Sequence, residues 1–517
     1  MSRFKRAIHG VASSYVLLAA AAIYSLASVP IALHYLDKER FGLWALMSTL
    51  VGYLSLIDAG MSGSAARLII DHKDDRDGGH YGSLIKTGWL VSLVQGAIIL
   101  VTGLVFANSF ARLLAIPAEL QPEFIRLVDL QCGVVALSFA TRIFNLVLCA
   151  HQRMDLVNYA GILSLVVNFV ALWLFFHFDF GVLSLAWAGL CATVVIVVCQ
   201  WLACARFKLF PGRGGWGRAS WFHFKEIFAY GKDIFLVSVG TQLIMASQSI
   251  IITRLLGLKS AAAWSVGTKT FNLISQAIWR VWDMSGSAFA EMVVRGEIAR
   301  LRERYRAVLI LTASLSGFAA VSFVLCNSLF IPLWLNSDIM WPVTNDVLLG
   351  FWMIVMAVLH CHNSFVLLTK KIGFLRWVYF VEGIVFVTLS LLVARRGGLP
   401  AIIACSIVCS IVFSGAYGVR RISRYFNFSL REVGLDWLRP MGRMLLLYLL
   451  LAALAWGALL PLSALPRLGV NVLVSLVVGG FLFLRFGLSS DFQREILSRA
   501  PKTFGPILKR VLIASSS

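Results

Sequence analysis

Residues 58–66 read DAGMSGSAA and residues 283–289 read DMSGSAF, so Met-Ser-Gly-Ser-Ala is written twice, each time shortly after an aspartate. A five-residue match can arise by chance in a chain of 517 residues, so the echo carries weight only if its surroundings repeat too. They do. Trp44 lies eight residues after Leu36 in YLDKERFGLW, and Trp264 eight after Leu256 in LLGLKSAAAW, a shift of 220. Met61 and Met284 are 223 apart, which requires one small insertion in the second half. Asn108-Ser109 and Asn327-Ser328 match at 219, and NLVLCAHQRM from Asn145 runs beside SFVLLTKKIG from Ser364 at the same shift. Four landmarks in one order at nearly one spacing mark a duplicated unit.

The composition says what kind of unit it is. The chain is 59% hydrophobic and only 14% charged, about half the charge of a soluble domain. Apolar runs long enough to cross a hydrocarbon core recur from end to end, each needing about 20 residues. They fall near 11–33, 41–70, 83–106, 125–150, 157–177 and 181–204, then 230–256, 261–292, 306–328, 343–369, 374–393 and 399–419, with two more near 441–461 and 467–487. The expectation is an all-α polytopic membrane protein of about 14 transmembrane helices: two six-helix repeats around a central cavity plus two C-terminal helices. The first run follows MSRFKRAIHG and is longer than a signal-peptide core, so it reads as a retained span.

Formal net charge is +21. No basic block interleaved with aromatics stands on a soluble domain, so nucleic acid is not an expected partner. Cytoplasmic loops lying against anionic membrane lipids explain the charge better. With the N-terminus placed in the cytoplasm, inside loops hold roughly thirty Lys and Arg and outside loops fewer than ten. The inside clusters lie at 206–232, 295–306, 420–443 and 494–510, while 328–343, expected outside, has none. Both termini are then cytoplasmic. Domain boundaries follow: an N-terminal half at 1–208, a cytoplasmic linker at 209–229, a C-terminal half at 230–428, and 429–517 for two extra helices and a basic tail. In the linker region Trp216, Trp221 and Phe222 suit an interfacial helix at headgroup depth.

Each repeat has an even number of helices, so both enter from the same side, as parallel repeats related by an axis along the membrane normal. Such halves are expected to enclose a cleft and rock between inward-open and outward-open states. The repeated Met-Ser-Gly-Ser-Ala predicts two sites of close helix contact, since small residues let backbones approach.

The stretch LDKERFGLWALMSTLVGYLSLIDAGMSGSAARLI at 36–69 resembles the start of bacterial polysaccharide transporters of the O-antigen flippase type, in the multidrug/oligosaccharidyl-lipid/polysaccharide exporter superfamily. The features shared are a Phe-Gly-x-Trp entry to the second helix and an Asp-x-Gly followed by small residues. The second half departs from this: no Phe-Gly precedes Trp264, and Asp283 abuts Met284 where Asp58 stands three residues before Met61. The resemblance implies a transporter flipping a polyprenyl-diphosphate-linked oligosaccharide, or exporting polysaccharide, across the bacterial inner membrane. It implies a lipid-linked glycan as substrate and makes glycan-assembly membrane enzymes candidate partners.

A charge near the bilayer centre is costly and must face protein or water. Asp58, Arg142, Lys269, Arg280, Asp283 and Glu382 all fall inside spans, with Gln242, Gln248 and Gln276 beside them. Gln276, Arg280 and Asp283 are spaced by four and three, one face of a helix. Arg280 therefore has two readings, a local ion pair with Asp283 or a cavity cation holding a diphosphate, for which a planar guanidinium is well shaped. Lys269 has no carboxylate three or four residues away and reads as a second substrate cation. Asp58 reads as the partner of a cavity cation or the cap of a helix break. The candidate substrate-binding set is Lys269, Arg280, Asp58, Asp283, Gln276 and Arg142. Trp279 and Trp282 read as packed or lipid-facing before they read as sugar platforms, and Arg67 and Arg254 as snorkelling.

Nothing in the sequence calls for a cofactor or a metal. None of the nine cysteines forms a C-x-x-C pair. His360-Cys361-His362 has neighbours that point in different directions on a helix. There is no P-loop and no H-E-x-x-H, and external loops are short, so an enzyme such as a glycan polymerase or ligase is the weakest reading. The alternative within the transporter class is an ion-coupled multidrug exporter, which would want an acidic pocket not offset by cations.

Overall fold

The computed structural model describes residues 3–72, 79–212, 214–335, 339–369, 373–459, 461–499 and 512. Every regular element among them is a helix. Twelve helical stretches among the described residues are long and apolar enough to cross a membrane, and the chain is a multi-pass membrane protein.

The sequence expectation of about fourteen differs from this count in two places. The stretch Leu375–Phe426 is taken as one although its 52 residues would run about 78 Å as a straight helix, far beyond a core of roughly 30 Å. Its backbone leaves helical angles at Gly398 (φ 59°, ψ −150°), just before Pro400. The other place is Lys269–Arg295, which carries Lys269, Arg280 and Asp283 and is not among the twelve.

The chain divides into two compact units, Met1–Ala262 and Ala263–Ser517. In the first, α1 (Arg3–Tyr35) packs on α7 (Met154–His177), which packs on α8 (Leu183–Arg206). Between them in sequence lie α2 (Lys38–Leu54), α3 (Met61–His72), α4 (His80–Leu113), α5 (Gln121–Thr141) and α6 (Ile143–Ala150). The unit closes with α9 (Trp221–Met245), α10 (Ser247–Leu256) and the start of α11 (Leu258–Gly267).

Small residues let α4 and α5 meet closely: a Cβ on Gly96 would stand 2.7 Å from the Ala136 carbonyl oxygen, and one on Gly103 would stand 2.6 Å from Cys132. At one end Asp37 caps α2, accepting from the backbone N–H groups of Glu39 and Arg40. Partial burial pushes its carboxyl up, but those bonds and the Arg40 guanidinium at 2.6 Å hold it below the usual range. Arg40 also reaches Glu123 at 2.8 Å, tying α2 to α5.

The helix that opens at Trp221, capped by the Ser220 hydroxyl, runs on unbroken to Met245. The interfacial helix expected in the linker is therefore the first turns of α9, because no Pro or helix-stopping turn separates the two. Trp221 and Phe222 stay exposed on it, whereas Trp216 packs on Phe210. The linker backbone is tied to α4, with Lys86 donating to the Gly217 carbonyl (3.0 Å) and Ser83 to that of Arg218.

In the second unit α13 (Ile298–Leu335) is the central post. It packs on α12 (Lys269–Arg295), α14 (Val343–Leu368), α18 (Arg439–Ala458) and α19 (Ala464–Val474). Behind α14 stand α15 (Leu375–Ser410) and α16 (Ala416–Phe426), joined by π-helical Ile411–Gly415. α17 (Leu430–Gly434) bridges to α18, and after α19 the chain continues through α20 (Gly480–Leu482) to α21 (Ser490–Arg499). The core is aromatic: Trp282, Phe289, Tyr305, Phe365, Phe426 and Trp437 form one buried cluster. Inside it the Tyr305 hydroxyl and His362 Nδ1 lie 2.6 Å apart.

Candidate functional site

Two of the expected long spans are jointed, and the joints carry the charge. The run at 41–70 is not one helix. α2 gives way to a 3-10 turn at Ser55–Asp58, then Ala59 (φ 48°) and Gly60 (φ 71°) reverse the backbone, and α3 starts afresh at Met61. Left-handed geometry is free for Gly60 and unfavourable for Ala59, so the joint needs outside support.

Asp58 supplies part of that support. Its carboxylate accepts from the Ser62 backbone N–H (3.1 Å) and the Ser62 hydroxyl (2.7 Å), an anion placed where a helix N-terminus favours one. The run at 125–150 is jointed as well, and Arg142 is the residue between α5 and α6. A cation just past the end of α5 is matched to that helix's negative end. The two joints meet: Arg142 Nη1 lies 2.5 Å from Asp58 Oδ1, with side chains 16% and 20% exposed. Gln95 of α4 locks them, its Nε2 donating to the Ile57 and Asp58 carbonyls (3.0 and 3.2 Å) while its Oε1 accepts from Arg142 Nη2 (3.3 Å). The Arg142 guanidinium lies 3.9 Å from the Phe139 ring centre, and its buried Nε has no hydrogen-bond partner.

Close contact does occur beside the first Met-Ser-Gly-Ser-Ala, but not through its glycine. A Cβ on Gly63 would meet nothing within 4 Å, and one on Gly286 only Leu368 at 3.7 Å. The expected pair of close helix contacts is thus not made by either repeated glycine. The close approach belongs to Gly231 of α9, where a Cβ would stand 2.5 Å from the Ala59 carbonyl oxygen. Gly231→Ala should therefore destabilise by about 1–3 kcal/mol, as overpacking does, and lower the melting temperature of the purified protein. Gly63→Ala, with open space around it, should leave that temperature unchanged or raise it.

In the second unit the echo sits in a different place. Asp283 and Met284 are adjacent, without the Ala59-Gly60 pair that reverses the first copy, and α12 passes through the motif uninterrupted. Its joint comes earlier, at Thr268, whose hydroxyl donates to the Trp264 carbonyl (2.7 Å). Lys269 is the first residue of α12 and half-buried. Gln276, Arg280 and Asp283 lie further along, all exposed.

Of the two readings of Arg280, the local ion pair with Asp283 is not formed. Asp283 instead takes His360 Nε2 of α14 at 3.0 Å, and Trp279 stacks on the same imidazole with centroids 5.0 Å apart. Arg280 makes no ion pair among the described residues. His362, two residues from His360, turns inward to Tyr305, so the His-Cys-His run splits between two surroundings. Glu382 is buried and accepts from the Ser410 hydroxyl (2.9 Å) and the Ser414 N–H (3.1 Å) at the π-helical turn. Gln242 approaches Gly52, Gln248 is buried, Arg254 is exposed in the last turn of α10, and Arg67 is exposed in the middle of α3 rather than at a helix end.

Two polar partnerships are not legible in the sequence. Gln95 and His360 lie 37 and 77 residues from the aspartates they serve, so no helical spacing announces them. A third polar centre is Asp346, fully buried, which accepts from Asn327 and the Trp341 indole, both at 2.7 Å. Asn327 was visible only as half of a repeated Asn-Ser; its first-half counterpart Asn108 is exposed.

The sequence profile of a family described as Polysaccharide biosynthesis protein matches residues 35–341. No curated protein sequence matches the chain significantly. Among solved structures, the lipid II flippase MurJ in an inward closed conformation superposes with a TM-score of 0.65 at 10% identity, covering 95% of this chain and 100% of that one. A multidrug resistance MATE family transporter of the MOP superfamily, inward-facing, gives 0.63 at 18% identity over 78% of this chain and 94% of its own. An outward-facing MATE transporter gives 0.60 at 17% over 81% and 96%. At such identities the likeness is one of fold.

Proposed function

Because the chain belongs to the polysaccharide biosynthesis protein family, we propose that it flips a polyprenyl-diphosphate-linked oligosaccharide across the bacterial inner membrane by alternating access. Its products would feed a surface polysaccharide such as O-antigen or exopolysaccharide, and both termini would face the cytoplasm. The observation that carries this reading is the polar face of α12. Gln276 and Arg280 are exposed there in a chain of membrane-crossing helices. A guanidinium in hydrocarbon costs several kcal/mol, which favours a water-lined setting for this face, and a forked cation beside water suits a diphosphate. A glycan head could not cross otherwise, since its hydroxyls would lose their hydrogen bonds in hydrocarbon.

The alternative cargo, a cationic drug, needs a carboxylate free to receive it. Of the intramembrane carboxylates the sequence singles out, Asp58 is held by Arg142, Asp283 by His360, and Glu382 by Ser410 and Ser414. The decisive measurement uses proteoliposomes holding a fluorescent short-chain lipid-diphosphate-oligosaccharide. A membrane-impermeant quencher should reach the inner-leaflet label only in vesicles that contain the protein. Equal protection with and without protein, together with protein-dependent uptake of a cationic dye, would replace this reading with the drug exporter.

A further inference from the structure

α13 is 38 residues long, about 57 Å at 1.5 Å per residue. A hydrocarbon core takes roughly 30 Å of that, so the arginine-rich N-terminal turns of α13 stand clear of it at the level of the lipid headgroups. Two cavities open there in the second unit. One, of about 540 Å³, is lined by Arg302, Arg304 and Arg306 over Phe428, Ile310 and Phe492. The other, of about 440 Å³, is lined by Arg306, Arg439 and Arg443 beside Trp437 and Pro440. Arg306 belongs to both. Two basic clusters that the sequence spreads over 295–306 and 420–443 are thus drawn towards one place, with Ser489 and Phe492 adding uncharged lining.

The acids nearby do not neutralise this set. Asp436 is engaged by Arg439 at 2.8 Å, and Glu303 and Glu432 are the remaining carboxylates in the two linings. Arg302 is flattened on the Phe428 ring, its guanidinium 3.6 Å from the centroid. Arg306 and Arg443 make no ion pair among the described residues and are exposed.

We propose that this double cavity is a binding site for the headgroup of an anionic phospholipid. Guanidinium forks from α13 and α18 would take the phosphate oxygens, and the aromatic floor would meet the glycerol and upper acyl carbons. A lipid fits better than a soluble phosphate compound or an acidic peptide for a positional reason. Arg439, Pro440 and Arg443 stand in the first turns of α18, just before the apolar run of a stretch, Leu430–Gly457, long enough to cross a membrane, so the cavity rim lies at the polar end of a spanning helix. This goes beyond the general attraction of basic loops to anionic membranes, because it fixes one place and one stoichiometry.

The test is native mass spectrometry of the full-length protein titrated with phosphatidylglycerol or phosphatidylcholine. Wild type should retain one phosphatidylglycerol in preference to phosphatidylcholine. Arg306→Gln with Arg443→Gln should weaken that binding roughly thirtyfold, at about fivefold per charge near a membrane surface. Arg395→Gln with Arg396→Gln, the same charge lost elsewhere, should leave it unchanged. Ala307→Trp, which fills the first cavity without altering charge, should weaken it as well and guards against a purely electrostatic explanation. Equal losses in the two double variants, equal retention of both lipids, or full displacement by inorganic phosphate or by an acidic peptide would each overturn the proposal.

Discussion

Replacing Arg142 by glutamine is expected to cost the first unit about 3 kcal/mol, one of the largest effects of any single change to the chain. The estimate comes from the cost of leaving one member of a buried ion pair without its partner, about 3–5 kcal/mol, taken at its low end because the two side chains keep 16% and 20% of their surface. Asp58 would be left with the Ser62 bonds alone, and Gln95 would lose the donor to its Oε1. The joint would suffer with it, since Ala59 holds an unfavourable φ of 48° that its surroundings must sustain. Asp58→Asn should cost a similar amount.

The double variant Asp58→Asn with Arg142→Gln should cost much less than the sum, because neutral amides leave no buried charge unmatched. Thermal unfolding of the detergent-purified protein gives all four corners of the cycle, and strict additivity would show that the pair is not coupled. Transport in the double variant separates two roles for Arg142. Recovery of both stability and export would make the pair a brace only. Recovery of stability without export would leave Arg142 a direct role, with its unpartnered Nε as the atom to consider.

The sequence carried the large features because they are one-dimensional. Apolar length reports a span, and four landmarks at nearly one shift report duplication. What it hid was where the spans bend. Asp58-Ala59-Gly60 contains a turn signal, but it lies inside a run of apolar residues whose length argued for a single crossing. Only the two-residue difference between Asp58-Ala59-Gly60-Met61 and Asp283-Met284 hinted that the copies differ, and that difference is what lets α12 run straight while α2 and α3 are split. Partners across helices were hidden more deeply. Helical spacing offered Asp283 to Arg280, three residues away, yet the carboxylate went to His360, which no periodicity connects to it. Local spacing proposes pairs; packing chooses among them.

That choice sets the last expectation. With Asp283 held by His360, Arg280 makes no ion pair among the described residues, and the proposed function gives its guanidinium the diphosphate. Arg280→Gln should reduce flipping by roughly ten- to a hundredfold, the range for losing a hydrogen bond to a charged group, while the melting temperature and membrane abundance stay as in wild type. Arg280→Lys should fall between, since it keeps the charge and loses the paired donors that match a diphosphate. Lys269 stands eleven residues earlier on α12, about 16 Å along the axis, too far to share one phosphate with Arg280. Its neutralisation should therefore add to that of Arg280 as an independent loss. His360→Gln supplies the converse: if it frees Asp283 to capture Arg280, export should drop although the arginine is intact, and Asp283→Asn in the same chain should restore it. Wild-type flipping in Arg280→Gln at normal abundance would remove Arg280 from the substrate path and leave its exposure on α12 without a use.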